Sequence, residues 1–233
     1  MKALILAGGE GTRLRPITYE MPKPMIPVNG KPLLQHIIEK VRDAGLDEIV
    51  LCIGYMGHVI ENYFGDGSKF GTKITYVKED EPLGTAGPLK LAKKHLDSTF
   101  LYLNGDIMST ADIKDLIKTH LSLGGKATMA LFEVEDPSRF GVAAMDGSRI
   151  VKFIEKPKKE EAPTRLINAG MIVLEPDVID LMEKDKGQIE VLIYPKLLEK
   201  GQLNGWVFSG MWYDLGTWES YGAALKEIRG IKK

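Results

Sequence analysis

Short, wholly apolar runs alternate along this chain with longer stretches in which apolar residues recur every three or four positions. Ala3-Leu4-Ile5-Leu6-Ala7 has the pattern of a strand buried on both faces. Leu33, Leu34, Ile37, Ile38 and Val41 share one face of a helix expected over Pro32 to Ala44, with Gly45 to end it. Glu48 to Ile53 reads as a second buried strand, Gly54-Tyr55-Met56-Gly57 as a turn and His58 to Phe64 as a short helix. Gly65-Asp66-Gly67 breaks the chain before a strand over Lys73 to Val77. The pattern then predicts a helix from about Pro88 to His95 and a strand over Phe100 to Leu103 that ends in Asn104-Gly105-Asp106. A helix over Ala111 to Leu123, capped by Ser109 or Thr110, and a strand over Ala127 to Val134 follow.

Strands that alternate with helices predict an α/β fold. It is Rossmann-like, a mostly parallel mixed sheet with helices on both faces. Ligands in such sheets sit beyond the carboxyl ends of the strands. Asp106 and the two glycine turns described below are therefore expected on one rim. The later half differs in texture. Gly141 to Met145 and Arg149 to Ile154 flank Asp146-Gly147, a hairpin signal. Further strands are expected at Ala169 to Leu174 and Gly205 to Phe208. Helices are expected over Pro176 to Glu183, Glu190 to Glu199 and Thr217 to Arg229.

Composition narrows the function classes. The length of 233 residues suits one α/β domain, with two small ones as the alternative. The 44% hydrophobic and 27% charged fractions are ordinary for a globular protein. A net charge of −1 gives no basic field to draw nucleic acid or an acidic membrane. No run approaches the roughly 20 apolar residues of a membrane helix, and no secretory leader is visible. A cytoplasmic protein is expected. The one cysteine, Cys52, sits in an apolar run and reads as a core thiol. The four histidines (His36, His58, His95, His120) lack metal-ligand spacing and read as structural. Trp212 and Trp218 read as packing residues that could also stack on a sugar.

The candidate chemistry begins where the first strand ends, at Gly8-Gly9-Glu10-Gly11-Thr12-Arg13-Leu14. Backbone N–H groups in such a loop form an anion site, and Arg13 and Arg15 add cations that grip phosphate. Leu14 stands where the dinucleotide fingerprint needs its third glycine. Gly-Thr-Arg stands where a P-loop needs Gly-Lys-Ser/Thr. The prolines from Pro22 to Pro32 predict an extended path that presents Lys23 as a second cation near the loop. Pro82-Leu83-Gly84-Thr85-Ala86-Gly87 is a second glycine turn. Asp106 ends a strand after a glycine. Asp214, in Trp212-Tyr213-Asp214-Leu215-Gly216-Thr217, suits a metal ligand or a helix cap. Lys156, in Glu155-Lys156-Pro157, reads as a surface lysine before a turn. Asn168 reads as a turn residue or as a partner for hydroxyls.

Gly8-Gly9-x-Gly11-Thr12-Arg13-Leu14-x-Pro16-x-Thr18, followed by Lys23-Pro24-Met25-x-Pro27-Val28 and Lys31-Pro32, resembles the opening of the sugar-phosphate nucleotidyltransferases. The resemblance extends over nearly the whole chain. It implies a glycosyltransferase-A-like nucleotidyltransferase fold and transfer of a nucleotidyl group from a nucleoside triphosphate to a sugar 1-phosphate. By that resemblance Leu6, Ala7, Gly8, Gly9, Gly11, Thr12, Arg13, Lys23, Glu79, Gly84 and Thr85 bind nucleotide. Gly141, Glu155, Lys156, Asn168 and Gly170 bind the sugar phosphate, and Asp106 and Asp214 hold Mg²⁺. Arg13, Lys23, Asp106, Lys156 and Asp214 are the implied catalytic set.

Glu79 stands where uridylyl and thymidylyl members usually carry glutamine. A carboxylate only accepts hydrogen bonds, and guanine offers two adjacent donors. GTP is therefore the expected nucleotide. The second glycine turn resembles the mannose-1-phosphate guanylyltransferase form, which makes mannose 1-phosphate the expected sugar. A manno-heptose 1-phosphate, or UTP or dTTP with glucose 1-phosphate, stays open, as does assembly into a homo-oligomer. A nucleotide-sugar-binding regulatory subunit is the non-enzyme alternative, and the presence of all five catalytic residues counts against it. Many relatives carry a C-terminal left-handed β-helix. Residues 1–233 are expected to form a single catalytic domain without one.

Overall fold

A computed structural model describes residues 1–230. The chain passes in order through β1 (Lys2–Ala7), β2 (Pro27–Val28), β3 (Lys31–Pro32), α1 (Leu33–Asp43), β4 (Glu48–Ile53), α2 (Gly57–Phe64) and β5 (Lys73–Lys78). Next come α3 (Gly87–Ala92), β6 (Phe100–Asn104), β7 (Ile107–Ser109), α4 (Ile113–Leu123), β8 (Ala127–Glu133), β9 (Gly141–Asp146) and β10 (Arg149–Glu155). The path ends with β11 (Leu166–Leu174), α5 (Ile189–Leu192), α6 (Tyr194–Glu199), β12 (Leu203–Val207), β13 (Trp212–Asp214) and α7 (Trp218–Gly230). Among the described residues no helix is long and apolar enough to cross a membrane.

Contacts divide the chain into two compact units. The first holds Lys2–Pro82, Asn104–Thr110 and the chain from Met211 onward, and the second holds Leu83–Leu103 and Ala111–Gly210.

In the first unit β4 lies between β1 and β5, parallel to both, with Ala3 opposite Ile49 and Ile49 opposite Ile74. Every residue of β4 after Glu48 is buried, as its unbroken apolar run requires. Helix α1 buries Leu33, Leu34, Ile37, Ile38 and Val41, the expected face. Each of these side chains contributes roughly 1.5–3 kcal/mol relative to exposure. The proline-rich segment from Pro22 to Pro32 is extended at Pro22, Ile26, β2 and β3, as expected, and departs from that path at Lys23–Met25, a 3₁₀ turn that carries Lys23 itself. Two further 3₁₀ turns, Thr12–Leu14 and Ile17–Tyr19, precede it. Proline is compatible with a first helical turn because its missing N–H has no partner there anyway. β7 and β13 form a two-stranded antiparallel ribbon, with Asp214 opposite Ile107.

In the second unit the strand order is β6-β11-β8-β12-β10-β9. β11 is antiparallel to β6 and β8, β8 is parallel to β12, and β10 is antiparallel to β12 and β9. These ladders give the sheet its mixed character. β11 begins three residues earlier than expected, so Asn168 lies inside a strand at a register shift rather than in the turn before it. Asp112, not Ser109 or Thr110, caps α4 by accepting from Lys114 N and Asp115 N. Thr110 instead pairs with Met211 through its backbone N–H and its hydroxyl, which extends the first unit's ribbon. The stretch after Leu174 is a 3₁₀ turn over Pro176–Leu181, and the helix expected over Glu190 to Glu199 is broken at Ile193. His120 is buried between Thr128 Oγ1 (2.9 Å) and Glu175 Oε1 (3.1 Å), a structural histidine.

Candidate active site

The site residues expected from the sequence fall into two groups, one in each unit.

In the first unit β1 delivers Leu6 and Ala7 to the glycine loop. Gly105 comes so close that its N–H donates to Leu6 O at 2.8 Å. That bond sets Asp106 beside the loop. The ribbon then brings Asp214 to Asp106, with Leu215 N donating to Asp106 O at 3.0 Å. Like charges so placed need an intervening cation. Lys23 supplies it. Its Nζ is 2.5 Å from Asp106 Oδ2 and 3.8 Å from Asp214 Oδ1. Lys23 is only 7% exposed, a burial that an ammonium tolerates only when paired.

The root of Lys23 is fixed by Gly11. A Cβ there would lie 2.9 Å from Lys23 Cβ, and its φ of 63° favours glycine. Thr18 Oγ1 donates to Gly11 O at 3.1 Å, and Tyr55 donates its hydroxyl to Thr18 O and its N–H to Gly8 O. Arg13 joins the cluster at Gly216. A Cβ on that glycine would meet Asp214 Oδ1 at 2.7 Å and Arg13 Nη2 at 2.8 Å.

Helix α7 holds the loop's backbone. Trp218 Nε1 donates to Arg15 O and Tyr221 Oη to Pro27 O. Trp218 is 46% exposed, so packing in the core is not its role. Its polar edge is spent on the loop. Trp212 is half-buried in the ribbon. Glu79 lies beside Gly8. Its Oε1 would lie 2.6 Å from a Cβ on Gly8, so the carboxylate faces the glycine loop. Glu79 also lines a cleft of about 250 Å³ with Gly54, His58, Glu61 and Asp80. Burial pushes the Cys52 thiol up, with the Glu79 charge adding to it, so this cysteine is inert.

Among the described residues no group of three or more His, Cys, Asp or Glu forms a metal cage. Mg²⁺ needs none, since one or two carboxylates plus substrate phosphates usually hold it. Asp106 and Asp214 offer hard oxygen donors, and they already share a cation in the Lys23 ammonium. That donor set fits Mg²⁺.

In the second unit Gly84 and Thr85 pack on the start of α5. Thr85 Oγ1 donates to Gln188 Oε1 or Glu190 Oε2 and accepts from Ile189 N. Glu155 lies against Gly141, where a Cβ would be 2.8 Å from Glu155 Oε2. Lys156 has a φ of 46° and pairs with Glu155 at 3.1 Å, its ammonium open to solvent. Asn168 Oδ1 accepts from Gly170 N at 3.0 Å, and Asn168 shares a hydrogen bond with the buried hydroxyl of Tyr194.

Gln188, Glu190 and Tyr194 were not singled out from sequence. They sit in a break between helices, where no motif marks them. Burial pushes the Glu190 carboxyl up, and the Glu155 charge adds to this, while the Thr85 hydroxyl and Lys156 pull it back. Burial likewise raises the Tyr194 hydroxyl, with Glu190 second.

A carboxyl raised in the folded state favours the fold below its unfolded pKa and loses that advantage as pH climbs through the folded one. The loss here begins near the ordinary glutamate value of 4.5. Glu190→Gln is therefore expected to raise Tm at pH 8 by roughly 2–4 °C, the equivalent of about 1 kcal/mol in a chain of this size. The gain should vanish at pH 4. A gain that is flat across melts at pH 4, 6 and 8 would show that Glu190 carries no such penalty.

A model of the nucleotidyl transferase family matches residues 2–230. The chain belongs to that family. It is 42% identical over 233 residues to mannose-1-phosphate guanylyltransferase 1 of Arabidopsis thaliana, covering 97% of this chain and 64% of that protein. The chain thus spans less than two thirds of that relative's length. A candidate glucose-1-phosphate thymidylyltransferase from Bacillus anthracis, solved with sucrose, matches at a TM-score of 0.89 and 30% identity over 98% of this chain and 95% of that one. HddC from Yersinia pseudotuberculosis, solved with GMP-PN, matches at 0.83 and 30% over 97% and 99%. The mixed α/β fold of this family member is the nucleotidyltransferase fold of those structures.

Proposed function

We propose that this nucleotidyl transferase moves a guanylyl group from GTP to mannose 1-phosphate, giving GDP-mannose and pyrophosphate. The observation that carries the reading is the first unit's cluster: a glycine loop, the cations Arg13 and Lys23, and the paired carboxylates Asp106 and Asp214. A phosphate oxygen of the sugar attacks the α-phosphorus in line, the bond to the β-phosphate oxygen breaks, and pyrophosphate leaves. Little covalent work falls to the protein, so catalysis is positioning and charge neutralisation. Arg13 and Lys23 neutralise the triphosphate and the leaving group, with backbone N–H groups of Gly8, Gly9 and Gly11 on the phosphates and Leu6, Ala7 and Thr12 beside them. Mg²⁺ on Asp106 and Asp214 supplies Lewis-acid neutralisation of phosphate charge.

In the second unit Gly84 and Thr85 are nucleotide ligands by the family resemblance. Lys156 orients the sugar phosphate, while Glu155, Asn168, Gly141 and Gly170 meet the sugar. Glu79 reads the base, accepting from guanine N1–H and N2–H₂. The mannose-1-phosphate guanylyltransferase relatives support this choice of substrates.

The test is pyrophosphate release with Mg²⁺ across GTP, UTP, dTTP, ATP and CTP, each paired with mannose 1-phosphate and glucose 1-phosphate. Release greatest with GTP and mannose 1-phosphate is expected. Release with UTP or dTTP and glucose 1-phosphate keeps the chemistry and discards the base reading. No release with any pair, manno-heptose 1-phosphate included, would return the protein to a regulatory role. Glu79→Gln should cut the GTP/UTP ratio of kcat/KM about tenfold or more, the worth of a charge-assisted hydrogen bond. An unchanged ratio would remove Glu79 from base recognition.

A further inference from the structure

Building on the nucleotidyltransferase reading, we propose that Lys23 is an internal stand-in for the metal. Its ammonium occupies the carboxylate pair until nucleotide draws it away, and this makes metal binding conditional on nucleotide.

Three observations carry this. The ammonium touches both carboxylates, at 2.5 Å from Asp106 and 3.8 Å from Asp214. The Lys23 side chain is 9% exposed and Asp214 18%, so water screens these two little, while Asp106 is 34% exposed. The two ends of Lys23 are held differently. Its root is wedged against Gly11 in the phosphate loop, while its tip hangs on a flexible four-carbon stem. A tip so tethered can reach either the carboxylates or an anion lodged in that loop.

The energetic consequence follows from charge alone. A divalent ion arriving without nucleotide meets two carboxylates that are already compensated. It must expel a buried ammonium that then has no partner, and a buried unpaired charge is costly. A triphosphate in the loop offers the ammonium new oxygens. The carboxylates then lose the ammonium 2.5 Å from Asp106, and the ion can take its place. Nucleotide therefore favours metal, and by linkage metal favours nucleotide by the same factor.

Direct coordination by the phosphates would also couple metal to nucleotide, so coupling alone does not decide the matter. The deciding measurement is Mn²⁺ binding without nucleotide, by electron paramagnetic resonance and calorimetry, Mn²⁺ taking the same oxygen donors. Lys23→Met should bind Mn²⁺ at least tenfold tighter than wild type, and adding Asp106→Asn should abolish the gain. Unchanged or weaker binding in a folded Lys23→Met protein overturns the proposal. If that variant does not fold, Lys23→Gln carries the same comparison. The wild type gives a separate test: if it binds GTP in the calorimeter, equal Mn²⁺ affinity with and without GTP also overturns the proposal.

Failure of the function reading looks different. A protein that binds no nucleotide in the same calorimeter, yet gains Mn²⁺ affinity on losing Lys23, keeps the stand-in and loses the enzyme.

Discussion

Asp214→Asn lowers kcat for pyrophosphate release about a thousandfold, while Tm stays within a few degrees of wild type. Removing one oxyanion-hole donor typically costs about 10²–10³ in rate, and loss of a carboxylate that holds the charge-neutralising metal is expected to cost as much. Here the loss is at the upper end, because Asp214 is half of a two-carboxylate site and also neighbours Arg13 at Gly216. Stability is spared for a separate reason. The backbone of residue 214 still pairs with Ile107, and Lys23 keeps its shorter bond, to Asp106. An Asp214→Asn enzyme with more than a tenth of wild-type kcat would remove this carboxylate from the metal site. A collapse in Tm would make its role structural.

Gly105→Ala has the largest expected effect on stability. A Cβ at this position would sit 2.2 Å from Leu6 O and 3.2 Å from Leu6 C. Neither atom can give way, since Leu6 is held in the β1–β4 ladder opposite Cys52. The Gly105 N–H bond to the same carbonyl would be lost with the clash. Overpacking against backbone together with a broken buried hydrogen bond puts the cost at about 4 kcal/mol or more. Thermal unfolding should show Tm lower by roughly 8–16 °C. Gly9→Ala is the control. Its Cβ meets nothing within 4 Å, and its Tm should hardly move. A Gly105→Ala protein that melts with wild type would mean that β1 can retreat from residue 105.

The apolar runs made the first unit's sheet readable. β4 spans the residues expected, Glu48–Ile53, because an unbroken apolar run bounded by turns leaves few alternatives. The family was readable by resemblance from the glycine loop and the segment after it. Glu79 faces that loop. Other features were hidden for identifiable reasons. The β7–β13 ribbon is three residues long on each side, too short for a period to register. Its absence from the reading also misassigned the cap of α4, since Ser109 and Thr110 belong to the ribbon and leave Asp112 as the cap. The proline segment is extended at Pro27–Val28 and Lys31–Pro32, as expected, and departs from that path at Lys23–Met25, a 3₁₀ turn only three residues long, with no interior for proline to disrupt. Trp218 was misjudged because hydrophobicity describes its rings and not its N–H, which holds Arg15 O. Glu190 was invisible because its character comes from burial beside Glu155 and Thr85, which no local pattern encodes.

The ribbon also bears on when the site comes into being. Ile107 and Asp214 are neighbours in space, yet more than a hundred residues separate them along the chain. Closing so long a loop carries an entropic cost that grows with the logarithm of its length, and contacts of this span form slowly. On the ribosome Asp106 and Lys23 emerge well before the residue that completes their cluster. The nascent chain can hold a phosphate loop and a lone ion pair long before it can hold two carboxylates side by side. The proposed metal site thus waits for three residues of β13, long after the other members of its cluster have emerged.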